Sequence, residues 1–123
     1  MAVELNHTIV PSRDKVVSST FLADVLGLPK PTPSGHFMAI ELANGVSLDY
    51  DDRDQVVPAH YAFLVSEAEF DAVFARVRAQ GITYYADPGH TKPGQIREHH
   101  GRGFYFSDPD GHNMEVLTRS STG

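Results

Sequence analysis

Hydrophobic and polar residues repeat with different periods along this chain, and the period separates helices from strands. The clearest helix begins at Ser66, where Ser66 and Glu69 form a capping box that can satisfy free amides of the first turn. Its apolar residues follow the i, i+3, i+4, i+7 spacing of one buried face, namely Phe70, Val73, Phe74 and Val77. Gly81 follows the last of them and predicts the end of the helix.

A second helix is predicted in the first half of the chain, over residues 14–26 and just before Gly27. The side chains expected on its buried face are Val17, Phe21, Val25 and Leu28. Its several valine, serine and threonine residues make it intrinsically weaker than the helix that begins at Ser66.

Strands are predicted on either side of two turn signals. Residues 36–42 and 46–51 flank the hairpin signal Asn44-Gly45, and residues 103–107 and 112–118 flank a turn at 108–111. The proline-punctuated segment 28–33 cannot be helical. Residues 87–100 are predicted to form a long irregular loop, since they contain two prolines, two glycines and three histidines.

The chain also repeats itself. The segment that contains His7 corresponds to the segment that contains His60, and the turn and strand that end at Asp49 correspond to those that end at Glu115. The predicted order is therefore β-α-β-β-β twice, with a short fourth strand near Tyr84 in the second copy. Two copies related by a pseudo-twofold axis would bring His7, His60 and Glu115 to a shared cleft.

Two imidazoles and one carboxylate make a set of ligands for a divalent metal that leaves other coordination positions open. A strand histidine taken alone is more often a satisfied core residue, but the repeat favours the metal site. Because side chains alternate along a strand, His7 shares a face with Leu5 and Ile9, and Glu115 shares one with Asn113.

Composition restricts the possible partners and types of site only slightly. The 123 residues fit one domain, 41% of them are hydrophobic, and the net charge of −6 argues against a nucleic-acid partner. The absence of cysteine excludes disulfides and thiolate metal sites. No apolar run suits a membrane span or an export signal, so we expect a cytoplasmic protein without a membrane partner.

Four stretches together resemble the vicinal oxygen chelate superfamily, the glyoxalase, bleomycin-resistance and extradiol-dioxygenase group. These stretches are 5–8, 21–28, His60 and 105–115. The resemblance implies an α+β fold of two paired βαβββ modules, about 1–52 and 58–120, that form a curved mixed sheet within one domain, 1–123. It also implies a divalent metal on His7, His60 and Glu115, with iron, zinc, manganese and nickel all left open.

The resemblance suggests roles for residues around that metal. Tyr105 occupies the position at which relatives place a tyrosine that faces the metal-bound substrate, whereas a half-buried strand aromatic is the structural alternative. His100, with His99 beside it, is a candidate general base, and a solvent-exposed histidine is the alternative. Asp49, one methylene shorter than a glutamate, is expected to contact a metal-bound water or a polar neighbour instead of the metal.

Two functions from different classes remain open. One is a metal-dependent enzyme that acts on a small oxygenated substrate, as a dioxygenase or a glyoxalase-like lyase or isomerase. The other is a bleomycin-resistance-type protein that sequesters an antibiotic without catalysis. Fosfomycin-type thiol transferases are disfavoured, because Ile9 stands where they carry a threonine and the chain ends before their distal basic residue.

The segment 51–58 between the two copies is short and acidic. It favours exchange of copies between two chains, so we expect a homodimer whose sites combine His7 of one subunit with His60 and Glu115 of the other. Small relatives of this length are generally dimers, which the resemblance adds to the argument.

Overall fold

A computed structural model describes residues 2–119 of the chain. The chain divides between Val57 and Pro58 into two compact units, which we call the first unit and the second unit. Neither helix in the described part of the chain has the length and apolar character needed to cross a membrane.

From residue 2 onward, the first unit contains one helix and four strands. Its elements are β1 (His7–Ser12), α1 (Lys15–Leu26), β2 (Thr32–Ser34), β3 (Phe37–Glu41) and β4 (Ser47–Asp52). The strand order in the sheet is β1-β4-β3-β2, with β1 parallel to β4 and the other pairs antiparallel. Strand β1 therefore lies at an edge of this sheet.

Helix α1 begins and ends as predicted, but the prediction of its buried face was partly wrong. The Asp14 carboxylate accepts hydrogen bonds from the amides of Val16 and Val17, and Gly27 ends the helix at φ 71°. Val17, predicted to be buried, is 54% exposed. The buried side chains are small or polar as well as apolar: Ser18, Ser19, Leu22, Ala23 and Val25. Val25 is buried as predicted, but because two of the other buried residues are serines, hydrophobic periodicity alone could not identify the whole face.

The described part of the second unit contains one helix and three strands. Its elements are β5 (His60–Leu64), α2 (Glu67–Ala79), β6 (Gly103–Ser107) and β7 (Asn113–Leu117). The strand order is β5-β7-β6, with β5 parallel to β7 and at an edge of the sheet. Helix α2 has the predicted capping box of Ser66 and Glu69. Its buried residues Phe70, Val73 and Val77 belong to a core that also contains Phe104, Phe106, Met114 and Val116.

The predicted fourth strand of the second unit is reduced to isolated bridges. Tyr85 exchanges two backbone hydrogen bonds with Tyr105, and Arg97 exchanges two with Gly103. The irregular segment is thereby fixed along the outer edge of β6.

The α+β fold of the prediction is confirmed, and the sequence repeat corresponds to a repeat of strand register. His7 and Ile9 pair with Ser47 and Asp49 in the first unit. His60 and Ala62 pair with Asn113 and Glu115 in the second unit. The two units therefore share one arrangement. An edge strand begins with histidine, and the adjacent strand has a carboxylate two residues after the partner of that histidine.

Candidate metal centre

His60 and Glu115 meet on one face of the second sheet. His60 is paired with Asn113, so Glu115 follows two residues later on the adjacent strand and points to the same side. His60 Nε2 donates a hydrogen bond of 2.9 Å to Glu115 Oε1. The Glu115 side chain is only 9% exposed, whereas that of His60 is 48% exposed. The pair therefore joins a shielded carboxylate to an accessible imidazole.

The spacing of this pair fits two neighbouring ligands of one metal ion. Two ligand atoms that each lie about 2.1 Å from a metal, at an angle of about 90°, are about 3 Å apart. The observed separation of 2.9 Å matches that value. The same two atoms form a direct hydrogen bond when His60 Nε2 carries a proton, so metal binding would require that proton to leave.

His112 positions the beginning of β5, where His60 lies. Its imidazole is fully buried, and its Nδ1 accepts a hydrogen bond of 2.9 Å from the Ala59 amide. The Asn113 amide in turn donates to the Ala59 carbonyl at 2.8 Å. His112 is thus a structural residue of the turn before β7.

Asp108 stabilises the same turn. One of its carboxylate oxygens accepts hydrogen bonds from the amides of Asp110 and His112, at 2.9 and 2.8 Å. Burial raises the pKa of this carboxyl despite those bonds, since the charged form is poorly solvated there. The turn residues 108–112 therefore hold the ends of β5 and β7 in register through buried polar contacts.

Tyr105 lies directly beside the His60–Glu115 pair. It is the β6 residue in register with Glu115, it is buried, and its ring centroid is 5.7 Å from that of His60. Burial, followed by the negative charge of Glu115, raises the pKa of the Tyr105 phenol. The phenol therefore keeps its proton at neutral pH and can act as a hydrogen-bond donor in the site.

Arg97 is a charged residue of this site that the sequence analysis did not identify. Its Nη1 lies 4.0 Å from Glu115 Oε2. The bridge to Gly103 places Arg97 there, although the two residues belong to an irregular loop and a strand. The only signal in the sequence was Gly103 itself, a strand glycine of the kind that marks the close approach of another group.

Asn113 connects the irregular loop to the same face of β7. Its Nδ2 donates to the Pro88 carbonyl at 3.1 Å, which leaves Oδ1 to accept from His90 Nε2 at 2.8 Å. The His90 ring stacks on Tyr85, with centroids 4.1 Å apart. Asp87 accepts further bonds from Thr91 and from the Lys92 amide. Hydrogen bonds to Asn113 therefore fix this part of the loop against the sheet.

The two histidines suggested as general bases are not brought to the pair. His99 and His100 are exposed, and His100 has a left-handed backbone with φ 54°. Within residues 2–119 no hydrogen bond or ring contact joins His100 to His60, Tyr105 or Glu115. His99 instead helps to line an open cavity of about 320 Å³, whose other lining residues are Ala86, Lys92, Gln95, Ile96, Arg97 and Glu98.

The remaining predicted ligand, His7, belongs to the first unit. It is exposed at the start of β1, where its Nδ1 lies 2.7 Å from Asn6 Oδ1. If Nδ1 donates this hydrogen bond, Nε2 has a free lone pair and can be the ligand atom. Asp49 shares this face of the sheet and accepts a hydrogen bond of 2.7 Å from the Ser47 hydroxyl. Among the described residues, no three histidine, cysteine, aspartate or glutamate side chains form a metal-binding group.

A sequence model of the Glyoxalase/Bleomycin resistance protein/Dioxygenase superfamily matches residues 4–116. The chain belongs to this superfamily. Two curated proteins that are similar to this chain are thiol transferases. Glutathione transferase FosA of Serratia marcescens is 31% identical, over 94% of this chain and 81% of its own. Metallothiol transferase FosB of Shouchella clausii is also 31% identical, over 93% of this chain and 79% of its own.

Solved structures of the superfamily include much more similar chains. Oxidase ChaP-H1 is 53% identical, with a TM-score of 0.95 over 99% of this chain and all of its own. Oxidase ChaP-H2 is 56% identical, with a TM-score of 0.94 over 98% of this chain and 96% of its own. The fosfomycin resistance protein FosX of Mesorhizobium loti, 22% identical with a TM-score of 0.72, shares the fold.

Proposed function

We propose that this chain is a metal-dependent enzyme that oxidises a small oxygenated molecule at a divalent metal held by His7, His60 and Glu115. The observation that carries the proposal is the convergence of His60 Nε2 and Glu115 Oε1 at the spacing of two metal ligands. The oxidases at 53% and 56% identity, which match nearly the whole chain, favour oxidation over isomerisation. Iron(II) is accordingly the metal we propose, with zinc, manganese and nickel as the alternatives.

Each protein residue has a distinct part in this proposal. His60 and Glu115 hold the metal from the second unit, and His7 completes the set through Nε2. When bound, such a metal polarises two adjacent oxygens of a substrate and stabilises an anion that forms on them. The half-exposed His60 side chain leaves an approach for the substrate, whereas the Glu115 carboxylate is shielded from solvent.

Tyr105 is the acid that we propose for this site. Its phenol is protonated, buried and adjacent to Glu115, so it can donate a hydrogen bond to a substrate oxygen or to the carboxylate. His100 stays a prediction from the sequence, and its exposed position makes it the weaker candidate for proton transfer.

Thiol transfer is the second candidate, because FosA is a glutathione transferase that is 31% identical over most of this chain. Ile9 and the greater identity to oxidases speak against it. Incubation of the metal-loaded protein with glutathione and fosfomycin should leave both compounds unchanged. Formation of their adduct at a rate above that of the metal-free protein would establish the transferase instead.

We also propose that the site forms in a homodimer, with His7 supplied by the partner subunit. Strands β1 and β5 lie at the edges of their sheets. Around the two histidines, the apolar residues Leu5, Ile9 and Leu64 are exposed, which is typical of a surface that another element covers.

Elemental analysis and oxygen uptake test the metal and the reaction. Protein purified or reconstituted without oxygen should hold one equivalent of iron(II) per chain, and it should consume oxygen only with an oxidisable vicinal-oxygen compound such as a catechol. Stoichiometric zinc or nickel, with isomerase or lyase activity and no oxygen uptake, would replace the oxidase by a glyoxalase-like enzyme. Protein that binds an antibiotic without any metal would be the sequestering type.

Complementation tests the shared site. Chains with His7→Ala and chains with Glu115→Ala should each bind no metal alone. After exchange of subunits they should form heterodimers that regain one metal site of the two. Exchange that restores no site would show that each chain supplies all its own ligands.

A further inference from the structure

The guanidinium of Arg97 has two donor atoms that are buried and unused. Among the described residues, its Nε and Nη2 have no hydrogen-bond partner and are shielded from solvent. Buried N–H groups of a charged side chain are costly to leave unpaired, and native structures rarely do so without a functional reason. Arg102 provides a contrast, because Glu67 and Asp71 bind it and the Phe70 ring lies beneath it.

The two unused atoms lie on the same edge of the guanidinium. The N–H bonds of Nε and Nη2 are parallel, and this edge receives both oxygens of a carboxylate at once. The third nitrogen, Nη1, is the one nearest Glu115, at 4.0 Å. The edge best suited to a planar anion is therefore not occupied by the carboxylate of the site.

Gly103 makes room for this guanidinium. A Cβ at position 103 would lie 3.0 Å from Arg97 Nη2 and 3.3 Å from its Cζ. Gly103 has no positive φ, so its backbone would accept other residues. The lack of a side chain thus serves the close approach of Arg97, whose backbone is held to Gly103 by hydrogen bonds of 2.7 and 3.0 Å.

The surroundings of Arg97 favour an anion in spite of the negative chain. The net charge is −6, yet the cavity that Arg97 lines also presents Lys92 and His99, with Glu98 as its only acid. The Arg97 side chain is 22% exposed as a whole. A ligand carboxylate that enters this cavity would therefore meet Arg97, and its pairing with Nε and Nη2 would require their shielded edge to open.

We propose that Arg97 binds a carboxylate of the ligand through Nε and Nη2, and so selects carboxylate-bearing molecules. The inference deepens the proposed function, on which it rests for placing the reacting oxygens of the same molecule near His60 and Glu115. The carboxylate contact itself needs no metal. Arg97 thereby fixes one end of the ligand at a set distance from Glu115 and determines which molecules fit.

Benzoate and its neutral analogue benzamide are the probes for this contact. In metal-free protein, benzoate should shift the side-chain Nε–H signal of Arg97 in a nitrogen-15 NMR spectrum, and should bind at least tenfold more tightly than benzamide. Arg97→Lys retains the charge but lacks the two parallel donors, so we expect at least tenfold weaker benzoate binding. Gly103→Ala should weaken it similarly by displacing the guanidinium, and Arg102→Lys should leave it unchanged.

Two results would overturn the proposal. One is that benzoate leaves the Arg97 signal unmoved or binds no better than benzamide. The other is that the Arg97→Lys and Gly103→Ala variants, still folded by circular dichroism, bind benzoate as well as the wild type does. Metal content is measured separately, and a His60→Ala variant without metal should still prefer benzoate. Failure of the metal site and failure of the Arg97 contact are therefore read from different measurements.

Discussion

The two units have the same strand register but differ in the chemistry placed on it. Asp49 in the first unit and Glu115 in the second hold corresponding positions, two residues along from the residue paired with a histidine. Ala39 on β3 is paired with Asp49, whereas Tyr105 on β6 is paired with Glu115. A repeated backbone therefore supplies two equivalent positions, and the side chains there determine that Glu115 meets a histidine whereas Asp49 meets a serine.

The lengths of the two carboxylates explain much of the difference. Asp49 is satisfied within its own strand by the Ser47 hydroxyl, at 2.7 Å. Glu115 reaches across to the neighbouring strand and meets His60 Nε2 at 2.9 Å. The Asp49 carboxylate is thus satisfied locally, whereas the Glu115 carboxylate, which is one methylene longer, can share a metal ion with an imidazole.

The largest expected difference between the units is in metal binding. Glu115→Gln should lower the metal content at least tenfold, because it removes the charged ligand. Asp49→Asn should keep the full equivalent, because Asp49 is bound to Ser47. Elemental analysis after dialysis against a trace of free metal measures both, with circular dichroism as the control for folding. Equal losses in the two variants would indicate a four-ligand site in which the halves contribute alike.

The next difference concerns Tyr105, which has no aromatic counterpart in the first unit. Glu115→Gln should lower the pKa of the Tyr105 phenol, because it removes a negative charge that opposes ionisation, although burial still raises the pKa. The pKa of Tyr61, raised by burial and by Asp108, should not change and is the internal control. Carbon-13 NMR of the tyrosine ring carbon against pH measures both. An unchanged Tyr105 would mean that burial alone accounts for its pKa.

The sign of this effect also predicts how stability depends on pH. Because the folded state holds the Tyr105 proton more tightly than the unfolded state, its contribution to stability is lost as the pH rises above about 10. Wild-type protein should therefore lose more stability above that pH than Tyr105→Phe does. Urea unfolding at pH 8 and pH 11 measures this difference, and parallel losses in both proteins would contradict it.

A smaller comparison concerns the beginnings of the two helices. Ser66→Ala removes the capping box of α2, and Asp14→Ala removes the acceptor for two amides of α1. Each change should lower the free energy of unfolding by about 1 kcal/mol. Ser34→Ala, at an exposed strand position, should change it by less than about 0.5 kcal/mol. Urea unfolding tests this prediction, and a cap variant as stable as the Ser34 control would refute it.

The smallest expected effects are on two partly exposed carboxylates, one in each unit. The Thr91 hydroxyl is the main cause that lowers the pKa of Asp87, and the hydrogen bond from Arg53 is the main cause for Asp51. Thr91→Val should therefore raise the pKa of Asp87 alone, and Arg53→Met should raise that of Asp51 alone. In the wild type these contributions to stability are present above about pH 4 and are lost as the pH falls through the lowered values. Carboxyl carbon-13 NMR detects each shift, and movement of both groups in either variant would show coupling that the structure does not contain.

The sequence was sufficient for the fold because the fold depends on local signals that repeat. The capping box at Ser66, the Asn44-Gly45 turn and the recurrence of the histidine segments predicted the elements and their order. The buried face of α1 was only partly predicted, because Ser18 and Ser19 are buried there and periodicity counts only apolar residues.

The site was predictable only where it follows strand alternation. His60 and Glu115 meet because strand faces and register place them together, and alternation along the sequence indicates those faces. Arg97 could not be predicted, because its position depends on a two-residue bridge between an irregular loop and Gly103. The exposed position of His100 could not be predicted for the same reason, since the loop that contains it has no periodic pattern.

The central claim is that His7, His60 and Glu115 bind one divalent metal, and the most direct measurement is the metal content of a double variant. Wild-type protein reconstituted with iron(II) or zinc should hold one equivalent per chain. His7→Ala combined with His60→Ala should hold none, while its circular dichroism spectrum stays that of the wild type. A folded double variant that still holds a full equivalent of metal would contradict the account.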